Sequence, residues 1–387
     1  MNSLIFPVIL LVAVGITALF LWGLWHTLIA AFSNSKKNTS SHDFALSRHS
    51  ANPILQPSSY DFEHEAVMNP AAVHDGDRTH LFYRAIGNDG VSRIGYASSE
   101  DGTTFDDRLP YPVFALEGSD PHLNAMRRAY AEKNHPALVA SGGSWGGTED
   151  PRAVQIDGRV YVSFSAFHNW DSVRIGVTSI AMEDLQQKKW KWSPPSFLSA
   201  PNQVHKNWVL FPEKISGKFA MLHSISPKIE VAYRNDLSEV GRYEPLIASE
   251  ERARADLVDT KSGFWHSRMR GAGAPPIKTP FGWLLFYHAM QADEPSKYKM
   301  GAMMLDANDP THVIARAPVP VLEPTAHYEN SGIKPGIVYA CGATAHNDTL
   351  TVYYGAADNV IGAATAPFSH FVEKLMNHES PTLALAT

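Results

Sequence analysis

Two hydrophobic regimes divide the chain. From Leu4 to Phe32 the apolar residues run on without an Asp, Glu, Lys or Arg. About twenty apolar residues suffice to cross a bilayer as a helix, so this stretch predicts a single membrane-spanning helix. Met1-Asn2-Ser3 brings no basic side chain ahead of it, which favours a retained anchor over a cleaved signal peptide. Lys36 and Lys37 follow directly, and the positive-inside rule then places the C-terminal bulk in the cytoplasm. The next residues are polar and Ser-rich, so the expected organisation is an anchor over 1–33 and a polar linker over 34–51. A folded domain over 52–375 and a tail over 376–387 complete it.

Beyond the linker the pattern changes to short runs rich in aromatic and β-branched residues, bounded by Gly, Asp and Asn. THLFYRA (79–85), RVYVSFSAF (159–167), KFAMLHSI (218–225), GWLLFYHAM (282–290) and TLTVYYGAA (349–357) are the clearest strands. Each follows a similar opening, starting at Pro70, Pro151, Pro212, Pro276 and Pro335, that reads as a short strand and a Gly-containing turn. Each is followed by a further strand, so the unit reads as one four-stranded blade and five units as a five-bladed β-propeller, all-β in class. A β-sandwich also repeats strands and turns, but it does not require five copies of one opening.

Charge narrows the function. The 387 residues carry 33 Lys plus Arg against 39 Asp plus Glu, with no dense basic block, which argues against nucleic acid as a partner. The one cysteine, Cys341, excludes an internal disulfide. The histidines show no paired metal spacing, and no phosphate-cradling glycine loop precedes a helix, so neither a metal nor a nucleotide cofactor is expected. Gly142-Gly143-Ser144-Trp145-Gly146 matches the G-x-S-x-G elbow, but a turn and a strand follow it where the hydrolase elbow needs a helix.

Propellers concentrate function at one end of the central channel, so chemistry is expected near the repeated prolines. Glu149-Asp150-Pro151-Arg152 places two acids and a guanidinium at the entry of the second blade, a set suited to tuning a proton donor and equally to a structural ion pair. Lys206 and His223 approach the channel from the third blade and suit an anion, as exposed lysines also would for no ligand at all. Arg268 and Arg270 precede the turn Gly271 to Pro276. Tyr354 and Asp358 pair an aromatic face with a carboxylate, which fits a sugar, although a core tyrosine pair reads the same way.

Seven stretches then resemble glycoside hydrolase family 130, the five-bladed enzymes that phosphorylyse or hydrolyse β-mannosides. They are FEHEAVMNPAAV with LFYRA, SRIGYASSEDG, GTEDPRAV, KNWVLFPEKISGKFAMLH, GAGAPPIKTPFGWLLFYH, GAMMLDANDPTHVI and YYGAADNVIGAA, in the family's order. The resemblance implies that Asp150 is the general acid, protonating the leaving oxygen through the O3 hydroxyl of the mannose. It implies that Lys206 and His223 hold inorganic phosphate, a co-substrate where no cofactor is needed, and that α-mannose 1-phosphate forms with inversion. Asn69, Arg84, Arg93, Glu149, Arg152, Glu213, Tyr354 and Asp358 are the expected substrate-binding residues. Many phosphorylases of the family carry Leu-His-Arg-Pro where this chain reads Leu222-His223-Ser224-Ile225, so an expected arginine is missing. Hydrolytic members use water with a carboxylate base, for which Glu149, Glu213 and Asp358 are candidates. The reading is thus a membrane-tethered enzyme on β-mannosides or related glycans, working by phosphorolysis or hydrolysis; synthesis of β-mannosides and glycan binding without turnover stand as alternatives.

Overall fold

Strands buried on both faces organise the chain into five antiparallel blades, the first two joined by a short parallel contact at Val91–Ser92 and Gly146–Gly147, described in a computed structural model over residues 46–116, 141–170, 172–237 and 265–377. A short strand β1 (Ser47–Arg48) comes first. Blade 1 holds β2 (Ala66–His74), β3 (Thr79–Ile86), β4 (Val91–Ser99) and β5 (Asp107–Arg108). Blade 2 holds β6 (Gly146–Ile156), β7 (Arg159–Asn169), β8 (Ser172–Ala181) and β9 (Ser196–Phe197), with the single-turn helix α1 (Met182–Gln186) before β9. Blade 3 holds β10 (Val209–Leu210), β11 (Phe219–Ser224) and β12 (Glu230–Arg234). Blade 4 holds β13 (Arg268–Ala272), β14 (Ile277–Thr279), β15 (Gly282–Met290), β16 (Lys299–Leu305) and β17 (Val313–Arg316). Blade 5 holds β18 (Val338–His346), β19 (Thr349–Ala356) and β20 (Val360–Pro367), followed by helix α2 (Phe368–Asn377).

The order of the hydrophobic clusters shows that these sheets close into a ring. Phe82 and Ile94 of blade 1 pack with Val160 and Ile180 of blade 2. Val154 and Val177 of blade 2 pack with Leu210 and Met221 of blade 3. Val209 and Leu222 then meet Leu285 and Met303 of blade 4, and Phe286 and Met304 meet Val352 and Tyr354 of blade 5 with α2. Tyr353 and Ile361 of blade 5 return to Leu81 and Tyr83 of blade 1. Each interface joins consecutive blades, so the apolar residues on both faces of a blade are buried and the ring has no open end.

Closure is sealed from the N-terminal side. Ser47 pairs with Thr365 and Arg48 with Ala364, making β1 the outer strand of blade 5. Arg48 reaches on to the wholly buried Glu329, with Nε to Oε1 at 2.7 Å. Leu46 is buried in the core shared by blades 4 and 5, so packing begins ahead of residue 52.

Two expectations change. The fold described is all-β with only α1 and α2 as α-helices, and among the described residues no helix is long and apolar enough to cross a membrane. The expected single-pass architecture, and the membrane localisation that went with it, are corrected accordingly; the segment proposed as the anchor, 1–33, lies outside the described residues. The fifth opening also differs, because β18 runs through Gly342 to His346 and turns at Asn347 and Asp348, both at positive φ. Gly342 sits at a bulge where a Cβ would strike the backbone of Ala72 in the neighbouring blade, so it serves packing rather than a turn.

Candidate active site

Four of the five innermost strands, and the middle strand of blade 3, carry a shared irregularity at one end of the channel. Register shifts fall between Met68 and Ala71 in β2, Glu149 and Arg152 in β6, and Leu222 and Ser224 in β11. They recur between Met269 and Gly271 in β13 and between Ala340 and Gly342 in β18. A bulge re-aims the side chain beside it, and Asn69, Asp150, His223 and Arg270, each beside one of these shifts, turn toward one cavity. Asn69 and Asp150, each just before a proline, adopt φ of 50° and 48°. Asn and Asp tolerate this left-handed region best among residues that carry a useful side chain.

The bulges surround a pocket of about 290 Å³ lined from all five blades. Asp150 lies in its floor, 4 % exposed. Its Oδ1 accepts from Asn69 Nδ2 at 2.7 Å and from Arg84 Nη1 at 3.4 Å, which leaves Oδ2 for a ligand. Burial by itself would raise the Asp150 carboxyl, but the charges of Arg84, Lys206 and Arg152 and the Asn69 hydrogen bond outweigh it and hold it at about 2. Arg84 is fully engaged: Nη2 donates to Glu149 Oε1, Ser144 Oγ and the Ser141 carbonyl, each at 2.9 Å. Glu149 also accepts from Ser144 Oγ at 2.7 Å and pairs with Lys206 Nζ at 3.3 Å. Glu149 thus stands behind the pocket as the counter-charge that fixes both Arg84 and Lys206.

Asp358, at φ 51°, faces the same pocket from blade 5. Burial pushes its carboxyl up, against the pull of Lys334 and Arg84. Gly142 keeps the space in front of it open, since a Cβ there would lie 2.8 Å from Asp358 Oδ2. From blade 3 come Lys206, packed over the Trp170 ring at 5.4 Å, and His223, whose Nδ1 lies 3.7 Å from Glu230. Arg270 and Lys334 line the opposite side, 5.9 Å and 5.4 Å from the centre of the Tyr298 ring.

The pocket therefore gathers Asn69, Arg84, Asp150, Lys206, His223 and Asp358 from the residues expected on sequence, with Glu149 and Arg152 behind them. Three others lie elsewhere. Arg93 is bound to Asp89 at 2.6 Å, on the flank of blade 1. Glu213 is half-buried and pairs with Lys278. Tyr354 is buried in the core between blades 4 and 5, its hydroxyl donating to Glu329 at 2.9 Å. Ser144 of the elbow-like motif is buried on Glu149 and leads into strand β6. Lys334, Tyr298, Tyr339 and Trp170 were not singled out beforehand. Lys334 had a signal, for it precedes the fifth repeated proline as Asn69 and Asp150 precede the first two. Among the described residues no group of three or more His, Cys, Asp or Glu is placed to hold a metal ion.

The comparisons with known proteins agree with one another. The glycoside hydrolase 130 family model, described as beta-1,4-mannooligosaccharide phosphorylase, matches residues 45–378. A 1,2-beta-oligomannan phosphorylase of Thermoanaerobacter sp. (strain X514) is 38 % identical over 82 % of this chain and 96 % of its own. A beta-1,2-mannobiose phosphorylase of the same organism is 37 % identical over 83 % of this chain and 97 % of its own. Among solved structures, the beta-1,2-mannobiose phosphorylase of Listeria innocua superposes with a TM-score of 0.62 at 24 % identity, covering 86 % of this chain and 99 % of that one, a likeness of fold.

Proposed function

The chain belongs to glycoside hydrolase family 130, and from that membership we propose that it cleaves β-1,2-linked mannosides by phosphorolysis, giving α-mannose 1-phosphate. It is an enzyme of the glycoside phosphorylase or glycoside hydrolase type. The observation that carries the phosphorolytic reading is the charge lining the pocket. Four cations, Arg84, Lys206, Arg270 and Lys334, line it with the carboxylates of Asp150 and Asp358, and Glu149 behind them pairs with Arg84 and Lys206, so the surplus lies with Arg270 and Lys334. Arg270 and Lys334 make no ion pair among the described residues. A pocket built for a neutral sugar and water has no use for surplus cations, whereas a phosphate dianion needs them to approach two carboxylates. The arginine missing at Ser224 thus has replacements on blades 4 and 5.

In this reading Asp150 is the general acid. Without ligand it is ionised at neutral pH; a sugar that excludes water, and a phosphate that offsets Lys206, remove what holds it down and raise it toward the protonated form. Its proton passes by way of the mannose O3 hydroxyl to the leaving oxygen as the glycosidic bond breaks. An oxygen of hydrogen phosphate forms the new bond to the anomeric carbon from the opposite face, and the proton still on the product phosphate returns to Asp150. Asp358, whose carboxyl burial pushes up, binds a sugar hydroxyl.

The linkage follows the two relatives named for β-1,2 bonds rather than the β-1,4 description of the family model. Incubating the protein with β-1,2- and β-1,4-mannobiose, with and without inorganic phosphate, and following phosphorus NMR tests both points. Mannose 1-phosphate is expected only with phosphate and chiefly from the β-1,2 substrate. Free mannose formed equally in both samples would make the protein a hydrolase, with Glu149 or Asp358 as base.

A further inference from the structure

Behind Asp150 lies one buried guanidinium. Arg152, in β6, is 3 % exposed and does not line the pocket. Its Nη1 donates to the main-chain carbonyl of Asp150 at 3.0 Å, and its Nε donates to the carbonyl of Gly273 at 3.0 Å. Its Nη2 donates to Asn207 Oδ1 at 3.0 Å and to the Tyr339 hydroxyl at 3.4 Å. None of these acceptors is a carboxylate, although buried arginines are usually paired with one. The partners come from blades 2, 3, 4 and 5, so this side chain ties four of the five blades at the axis.

The partners are themselves fixed. Tyr339 donates its hydroxyl to Asn207 and stacks on the buried His288 ring at 4.1 Å and 11°. His288 Nε2 accepts the Ala340 amide N–H at 2.8 Å. Asn207 donates to the Arg270 carbonyl at 3.0 Å, beside Gly271, where a Cβ would collide with it.

We infer that Arg152 is a positioning residue for the acid: it grips the left-handed backbone of Asp150 through that carbonyl and keeps an uncompensated positive charge behind its carboxyl. The inference rests on the reading of Asp150 as general acid, and it gives Arg152 no contact with the substrate. A change of this kind acts on the reaction geometry and the acid's titration, while the pocket surface that meets sugar and phosphate stays as it is.

The test uses the full chain carrying Arg152→Lys, Arg152→Ala and, as a milder probe, Tyr339→Phe. With β-1,2-mannobiose, Arg152→Ala is expected to lower kcat by about a hundredfold while both KM values stay within about threefold. Loss of the cation makes Asp150 easier to protonate, so the fall in rate at high pH moves to higher pH; Arg152→Lys keeps the charge and hence that limb, but not the full kcat. Guanidinium at millimolar concentration should restore part of the Arg152→Ala rate. Carbon NMR of carboxyl-labelled aspartates, with Asp150→Asn to assign the signal, reports the same upward shift of the Asp150 titration whether or not mannobiose is turned over. It thereby separates failure of this inference from failure of the phosphorolytic reading. A rise in the mannobiose KM at unchanged kcat would make Arg152 a substrate ligand and overturn the inference, as would an unmoved Asp150 titration in the Ala variant. If Arg152→Ala does not fold, the Lys and Phe variants decide it by the split of kcat against KM.

Discussion

In the role proposed for it, Asp150, whose carboxyl its cationic neighbours hold down, has to gain a proton before the bond breaks, so its environment has to change on binding. This makes the residue more sensitive to its neighbours than an exposed acid would be. Asp150→Asn retains the Asn69 and Arg84 neighbourhood but has no proton to give; kcat should fall by about a thousandfold or more with mannobiose affinity nearly preserved. An unchanged rate would remove Asp150 from the mechanism. At the facing wall, Arg270→Ala with Lys334→Ala should raise the KM for phosphate at least tenfold or so and leave that for mannobiose within a factor of about two, since neither cation makes an ion pair among the described residues. Equal changes in both KM values in steady-state kinetics would show that these cations shape the pocket rather than hold phosphate. That Asp150, Lys206, His223 and Asp358 meet at one pocket was legible in the sequence because each lies in a stretch beside a blade entry or the end of an inner strand. Arg93 and Tyr354 were not separable from them by type: which face of a strand a side chain takes, and whether an Asp89 or a Glu329 awaits it, depends on neighbours far along the chain.

At the scale of the strand, the bulges are what turn a repeated β-pattern into a site. Five openings with a proline were readable as blade entries, although the prolines fall inside β2 and β6, after β10, and before β14 and β18. The two-for-one register at Asn69 or Asp150 was not readable, because a bulge needs a partner strand to be defined. Asn69 is locked in place by Gly355 of the neighbouring blade, where a Cβ would collide with Asn69 Oδ1 and come within 2.8 Å of its backbone nitrogen. Gly355→Ala should therefore push Asn69 off Asp150 and overpack the joint between blades 1 and 5. The expected result is a loss of about 1–3 kcal/mol in urea unfolding together with a lower kcat. Stability lost at an unaltered kcat would show that the Asn69 bond to Asp150 is dispensable for the reaction.

For the molecule as a whole, the ring must close and stay closed with charged and polar groups inside it. Sequence periodicity gave five blades but not the way in which β1 completes the last of them, since two residues, Ser47 and Arg48, carry no period. Glu329 accepts from Arg48 Nε and Nη2 at 2.7 and 2.9 Å, from Tyr354 at 2.9 Å and from the Ala326 amide at 2.8 Å. Arg48→Ala strands that buried carboxylate beside the closing strand. It should cost about 2–3 kcal/mol in chemical denaturation, less than for a fully buried pair because Arg48 is partly exposed. Glu329→Gln, which keeps an acceptor and adds no charge, should cost less; the reverse order would mean that closure does not depend on this pair.

The channel axis sets the acid limit of the whole fold. His288 is wholly buried beside Arg152, and burial first, then that guanidinium, hold its imidazole down at about 3. Protonating Nε2 would also break its bond from the Ala340 amide. Below the ordinary histidine value of about 6.5 the unfolded chain takes up a proton that the folded chain refuses until about 3, so folding loses about 1.4 kcal/mol per pH unit from this one group. Stability should thus be insensitive to His288 above pH 7 and decline as pH falls below 6.5. Urea unfolding at pH 6.5 and 5 is expected to show the unmodified protein losing about 2 kcal/mol more than His288→Gln, which has no proton to take up in that range. If both lose the same amount, His288 takes up its proton as readily in the folded ring as in the unfolded chain, and burial beside Arg152 does not hold it neutral.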